Sequence, residues 1–141
     1  MTKIDFRTQV ADKIVYTCRW VRRALLESPV PEIVLYSNDR AFLARLDEAL
    51  WTFSDLDFLP HEMAGSPNAH RSPVILTDDD TLEFSRHDIL VNLSNRIPAG
   101  FGRFKRMLEI VSTDEADANA ARTRYAYYRE NGYPLHHEAT K

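Results

Sequence analysis

The last predicted helix carries the residues whose types and spacing best suit a chemical task. Arg122, Tyr125 and Arg129 stand three and four residues apart, so all three side chains project from one face of a helix. Guanidinium groups are planar donors that match carboxylates, and a phenol ring offers a flat surface to an apolar side chain. The pattern therefore predicts a pocket for an acidic peptide. The spacing also allows a solvated face whose arginines pair with neighbouring acids.

Large apolar side chains also gather in a segment that has no helix or strand periodicity. Trp51-Thr52-Phe53 is followed, after a short gap, by Phe58-Leu59-Pro60-His61. Aromatic side chains in such a segment either anchor a protein partner or fill the core. The pattern alone leaves both interpretations open.

The residues that most often carry catalysis or bind metals form no recognisable set. Cys18 falls on the apolar stripe of the first predicted helix, which favours a buried and inert thiol. Asp78-Asp79-Asp80 follows a short strand and precedes Thr81, so a solvated turn is a simpler interpretation than a cation site. The histidines lack the spacing of a zinc site, and we expect no metal. They are His61, His70, His87, His136 and His137.

A nucleotide-binding loop is also missing from the sequence. The glycines are Gly65, Gly100, Gly102 and Gly132, and none gives the GxxxxGKS/T or GxGxxG spacing that lets backbone amides approach a phosphate. We therefore expect no cofactor and no catalytic activity. The main alternative is a small α/β enzyme whose arginine face holds the phosphate of a nucleotide or metabolite. A direct single-strand binder is a third interpretation, which the net charge of -3 opposes.

Predicted strands and helices alternate along the chain, and these elements must position the residues described above. Short branched runs predict strands at residues 4–6, 33–36, 74–76, 89–93 and 107–111. Residues 52–72 have no regular pattern, and Pro60, Gly65 and Pro67 indicate an irregular loop segment. The alternation predicts an α/β fold, a single-domain three-layer sandwich with a largely parallel sheet, Rossmann-like but without a nucleotide-binding loop.

Two helices are predicted in the first third of the chain. The first ends at Ser28-Pro29, and the second runs through Leu50 with Asn38 or Asp39 as its cap. The apolar stripe of the first is Val10, Ile14, Cys18, Val21 and Leu25.

The final helix is predicted over residues 113–131. Ser112 or Thr113 caps it, and Gly132 ends it in a left-handed conformation. Its sheet-facing stripe is predicted to be Ala116, Ala120, Thr123 and Tyr127. The opposite face, which carries Arg122, Tyr125 and Arg129, is then predicted to point towards solvent.

The bulk composition is that of an ordinary globular protein with one core. The 141 residues are 44% hydrophobic and 28% charged, so we expect a single domain over residues 1–141. One cysteine cannot form an internal disulfide, and the first residues lack the apolar stretch of a signal peptide, which favours the cytoplasm. Charged residues interrupt every apolar run, so no membrane span is predicted.

Several segments also occur in a specific order. They are Arg45-Leu46-Asp47-Glu48-Ala49-Leu50-Trp51, Phe58-Leu59-Pro60-His61, Ala64-Gly65, Asp88-Ile89-Leu90-Val91-Asn92-Leu93-Ser94, Arg122-Thr123-Arg124-Tyr125 and Tyr128-Arg129-Glu130-Asn131-Gly132-Tyr133. Together they resemble the chi subunit family of bacterial DNA polymerase III nearly from end to end. Each motif alone is modest, but the ordered set is specific.

The resemblance implies a non-enzymatic adaptor of the clamp-loader assembly with an α/β fold and no nucleotide. Its implied partners are the small psi subunit, in a heterodimer, and the acidic, phenylalanine-terminated tail of single-stranded-DNA-binding protein, so that its association with DNA is indirect. The resemblance assigns Arg122 and Tyr125 to the tail, and Trp51 and Phe58 to psi. Arg129 is added to the tail site from the helical face.

Overall fold

The computed structural model describes residues 1–53, 59–67, 69, 72–84 and 86–140. Its strands are β1 (Lys3–Val10), β2 (Ile33–Tyr36), β3 (Glu62–Met63), β4 (Val74–Thr77), β5 (Ile89–Asn92), β6 (Arg106–Ser112) and β7 (Leu135–Ala139). They form one seven-stranded sheet in the order β3-β4-β2-β5-β6-β1-β7. Each neighbouring pair is parallel, which confirms the predicted sheet.

The α-helices of the described residues are α1 (Lys13–Ala24), α2 (Arg40–Thr52) and α3 (Glu115–Glu130), and a short 3-10 helix spans Phe101–Arg103. Along β2, Ile33 and Leu35 join the apolar cluster beneath α1 and α2, whereas Val34 and Tyr36 join the cluster beneath α3. This alternation follows from the pleat of a strand. Both faces of β2 are therefore buried, which explains its continuous apolar run. The three-layer sandwich is confirmed, with α1 and α2 on one face and α3 on the other.

Helix α1 begins later and ends earlier than predicted. Asp12 caps it, because its Oδ1 accepts hydrogen bonds from the N–H groups of Ile14 (3.0 Å) and Val15 (3.2 Å). Val10, predicted as the first residue of the helical stripe, is instead the last residue of β1. The predicted end at Ser28-Pro29 is also wrong: the N–H groups of Leu26 and Glu27 bond to carbonyls three residues back, which turns the chain out of the α-helix.

Helix α2 agrees with the prediction, and the structure selects Asp39 as its cap. The Asp39 carboxylate accepts a hydrogen bond from the N–H of Phe42 at 3.1 Å. The irregular segment predicted for residues 52–72 is wrong at the two residues of β3, which pair with β4. A strand of two residues is too short to show a periodicity, so only its pairing with β4 identifies it.

The cap predicted for α3 is wrong, whereas its predicted stop is confirmed. Ser112 ends β6, and both its N–H (2.8 Å) and its hydroxyl (2.9 Å) donate to Asp117 Oδ2. The N-cap residue is Asp114 rather than Ser112 or Thr113. Gly132 has a φ of 78°, the left-handed conformation that ends the helix.

The sheet-facing stripe predicted for α3, Ala116, Ala120, Thr123 and Tyr127, is also wrong. The buried residues of the helix are Ala121, Arg124 and Tyr128, and Tyr127 is 45% exposed. The prediction followed the spacing of small and aromatic residues and left Arg124 off the buried face, where an arginine is rare unless it is paired. In the structure Arg124 is buried together with a carboxylate from β6.

That carboxylate, Glu109, is the centre of a buried polar network. Arg124 donates from Nε (3.1 Å) and Nη2 (3.0 Å) to its two oxygens. Tyr128 donates its hydroxyl hydrogen at 2.7 Å, and Asn92 donates from Nδ2 at 3.0 and 3.1 Å. Burial and the neighbouring Glu109 raise the pKa of Tyr128 well above its usual range. These bonds fix the rotation of α3 about its axis, and so decide which residues it leaves exposed.

Strand β7 was not predicted. It pairs in parallel with β1 and forms one edge of the sheet, with most of its side chains exposed. Among the residues that the structure describes, none of the helices has the length and apolar character needed to cross a bilayer.

Candidate peptide-binding groove

An open groove of about 950 Å³ lies between α3 and the carboxyl ends of β1, β6 and β7. Helix α3 contributes Arg122 and Tyr125 to its lining, β1 contributes Phe6 and Thr8, and β7 contributes His137. We call it the α3 groove.

Tyr125 forms the apolar wall of this groove. Its side chain is only partly buried, and its ring meets Phe6 edge-on with the ring centroids 5.2 Å apart. Phe6 is itself buried in the core beneath α3. One side of the tyrosine is therefore held by the core while the other is available to a ligand.

Arg122 supplies the positive charge of the groove. Its side chain is exposed, and its Nη1 donates a hydrogen bond to Asn119 one turn earlier. Neither Arg122 nor Arg129 forms an ion pair with another described residue. The interpretation in which these arginines pair with neighbouring acids therefore finds no support in this part of the chain.

Arg129 stands apart from the other two candidate residues. It is exposed on the last turn of α3 and does not line the groove. The structure thus brings Arg122 and Tyr125 together and leaves Arg129 one turn beyond them. At that position its exposed charge is screened by solvent.

The opposite wall was missed by sequence reasoning. Thr8 Oγ1 and His137 Nε2 share a hydrogen bond of 2.7 Å across β1 and β7. Both residues place polar groups opposite Arg122 and Tyr125. The alternation in 135–139 is too weak to predict a strand, so the sequence held no clear signal for this wall.

Trp51 lies on a different surface, in the last turn of α2. It is 51% exposed, and its ring packs on that of His61 with the centroids 4.3 Å apart. His61 is buried, with its Nδ1 2.6 Å from the carbonyl oxygen of Leu59 and its Nε2 3.1 Å from a carboxylate oxygen of Asp47. Trp51 is therefore an exposed aromatic on a fixed base rather than a core residue. Phe58 lies outside the described residues.

The crevice at the carboxyl ends of β2 and β5 is where open α/β sheets usually bind ligands. Here it is lined by Asp39, Asp114 and Asp117 together with Lys13. Burial opposes ionisation of Asp117, but hydrogen bonds from Ser112 and the charge of Lys13 outweigh it and hold the pKa of that carboxyl below its ordinary value. Carboxylates thus stand where the helix N-termini would otherwise attract a phosphate.

Two residues considered for other chemistry have structural roles. Cys18 is buried, and burial, together with the charge of Asp12, raises the pKa of its thiol to about 11, so the nucleophilic thiolate is scarce at neutral pH. Asp79 accepts hydrogen bonds from the N–H (2.9 Å) and hydroxyl (2.6 Å) of Thr81, as in an ordinary Asx turn.

Comparison with known proteins places these features in a family. The family model described as "DNA polymerase III chi subunit, HolC" matches residues 1–136. DNA polymerase III subunit chi of Pseudomonas aeruginosa is 30% identical over 139 residues, which cover 96% of this chain and 94% of that protein. The subunit chi of Haemophilus influenzae is 27% identical, covering 74% and 72%, and that of Escherichia coli is 30% identical, covering 73% and 70%.

Proposed function

The chain belongs to the family of DNA polymerase III chi subunits, and on that premise we propose that it is a non-catalytic adaptor between two protein partners. A role in DNA replication comes with the family. The partners proposed are the psi subunit and the acidic carboxyl-terminal tail of single-stranded-DNA-binding protein. The observation that carries the tail proposal is the open α3 groove, in which Arg122, without an ion-pair partner among the described residues, lies beside the half-buried ring of Tyr125.

In this proposal the tail binds by charge and by one apolar anchor. Arg122 donates to the terminal carboxylate or to a neighbouring aspartate, and the apolar end of the tail packs against the exposed side of Tyr125. Thr8 and His137 offer polar partners on the opposite wall. Arg129, one turn beyond Tyr125, adds a screened positive charge outside the groove.

The expected affinity is modest. A hydrogen bond to a charged group contributes about 1.5–3 kcal/mol, and an exposed pair lies at the low end of that range. A short tail also buries little area, so we expect a Kd in the micromolar range that rises with salt. Several tails on one oligomer would strengthen the hold through multivalency, so that this subunit reaches DNA indirectly.

The second partner, psi, is proposed for the surface around Trp51. A half-exposed tryptophan on a rigid base has the features of an interface anchor, since such residues dominate binding energy when a partner buries them. Phe58 is proposed as a second anchor of this interface.

The tail proposal is tested by substituting Arg122→Ala. Titration with a peptide ending in Asp-Pro-Phe should give a Kd raised by at least about tenfold, because the peptide carboxylate loses its charged donor. Isothermal titration calorimetry at low salt measures the change. Thr123→Ala on the adjacent exposed face should leave the Kd unchanged, and Arg129→Ala should have a smaller effect than Arg122→Ala. Equal affinity of Arg122→Ala and the unsubstituted chain would discard the α3 groove as the tail site.

A further inference from the structure

A second groove, of about 450 Å³, runs along α1 and meets the α3 groove. Besides Val15, its helical lining consists of Tyr16, Arg19, Trp20 and Arg23, whose spacing places them on one face of α1. We call it the α1 groove. It belongs to neither surface described above, because its charged residues come from a different helix.

The two grooves border each other at the carboxyl end of β1, although α1 and α3 cover opposite faces of the sheet. Ala11 and Thr140 line both of them. Thr140 is held in place by β1, since its N–H donates to the carbonyl oxygen of Thr8 at 2.9 Å and its hydroxyl donates to that of Gln9 at 2.9 Å. The junction is therefore a fixed stretch of backbone with small side chains, around which a ligand can pass from the α3 face of the sheet to the α1 face.

The α1 groove carries positive charge that its surroundings leave uncompensated. Arg19 and Arg23 are exposed, and neither forms an ion pair or side-chain hydrogen bond with another described residue. The acid in the lining, Asp12, is engaged as the cap of α1. A carboxylate at a helix N-terminus is stabilised by the helix dipole, so it does not need an arginine partner.

Aromatic surface lies between these charges. Tyr16 and Trp20 are partly buried and pack on the core beneath α1, which fixes their rings. The groove therefore offers flat apolar surface flanked by two guanidiniums. These are the same components that Arg122 and Tyr125 provide in the α3 groove.

We infer that the α1 groove binds the upstream part of the same acidic peptide whose end occupies the α3 groove. This inference rests on the proposed function. Arg19 and Arg23 are one helical turn apart, or about 6 Å along the axis. Alternate residues of an extended peptide are separated by about 6.6 Å. The groove thus fits a strand-like segment that carries acidic side chains at every second position.

A peptide fits the charge of the chain better than a nucleic acid does. The net charge of -3 opposes any polyanion, and a nucleic acid carries a negative charge at every nucleotide. A short acidic peptide carries fewer charges and can place them beside the arginines. The test below includes an oligonucleotide, which distinguishes direct binding of single-stranded DNA from binding of the peptide.

The test compares two synthetic peptides with the same Asp-Pro-Phe end. The short peptide contains only the terminal residues, and the long peptide adds an upstream segment with aspartate at alternate positions. The unsubstituted chain should bind the long peptide about fivefold more tightly, since two exposed ion pairs are added. In the Arg19→Ala/Arg23→Ala variant this advantage should disappear, while the Kd of the short peptide stays the same.

Arg22→Ala is the matched control, because Arg22 is an exposed arginine of α1 that does not line the groove. It should retain the advantage of the long peptide. Equal binding of both peptides to the unsubstituted chain would overturn the inference and leave the proposed function intact. Failure of both peptides to bind would overturn the proposed function itself. Binding of an oligothymidylate that the double variant loses, with no effect on the long peptide, would assign the α1 groove to DNA instead.

Discussion

Replacing Arg124 with alanine is expected to lower the free energy of unfolding by about 3–5 kcal/mol. Arg124 is 2% exposed and Glu109 is 0% exposed, so the substitution leaves a carboxylate in the core without its cation. Tyr128 and Asn92 would still donate to that carboxylate but cannot neutralise it. Equilibrium unfolding in urea, followed by circular dichroism, measures the change.

Two further substitutions on α3 test whether the lost ion pair causes the lower free energy of unfolding. Arg129→Ala removes an exposed arginine from the same helix and should change the unfolding free energy by less than about 0.5 kcal/mol. Arg124→Lys keeps the charge but loses the two-pronged contact with Glu109, so its effect should lie between those of the alanine variants. If Arg124→Ala costs no more than Arg129→Ala, the ion pair is not the buried support of α3 described above.

Replacing Trp51 with alanine is expected to raise the Kd for psi by at least about thirtyfold, the effect of losing an interface anchor worth about 2 kcal/mol. The loss should arise in dissociation, because an apolar anchor mainly sets how long a complex lasts. Surface plasmon resonance with immobilised psi measures both rates. Binding of the acidic tail peptide should be unaffected, since the α3 groove does not include Trp51.

Tyr127→Ala is the control for that experiment. Tyr127 is 45% exposed, close to the 51% of Trp51, but it lies on α3. Its loss should leave psi binding unchanged. Equal effects of the two substitutions would contradict an anchor at Trp51. Loss of psi binding and tail binding together would show that the variant had unfolded.

Elements whose signal is local were predictable from the sequence. The run Ile33–Tyr36 is apolar at every position and forms a strand buried on both faces. The α2 cap, predicted at Asn38 or Asp39, and the Gly132 stop likewise depend on a few adjacent residues. In these segments the hydrophobic pattern and the capping chemistry favour the same structure, so one sequence is enough to identify it.

Features that depend on distant residues were not predictable in the same way. The buried stripe of α3 includes Arg124, whose partner Glu109 lies on another element, and no local pattern shows that the two meet. Strand β7 exists because β1 offers it hydrogen bonds, not because its own residues form a strong strand pattern. The end of β1 was missed because Val10 also fits the helical period.

The α3 groove also combines residues predictable from local spacing with residues that only the fold brings together. Helical spacing was enough to place Arg122 and Tyr125 in one groove, because both residues belong to one element. Thr8 and His137 complete the groove from two strands that are far apart in sequence. Sequence reasoning therefore found one wall of the α3 groove, and only the fold could supply the other.

Mapping the tail peptide onto the chain by NMR tests the central claim most directly. Backbone amide shifts would be followed during titration of the unsubstituted chain with a peptide ending in Asp-Pro-Phe. The largest changes are predicted at Arg122 and Tyr125 of α3 and at Thr8 and His137 of the facing strands, with none at Trp51. Changes confined to the acidic crevice or to the Trp51 surface, with the α3 groove unaffected, would contradict the proposal.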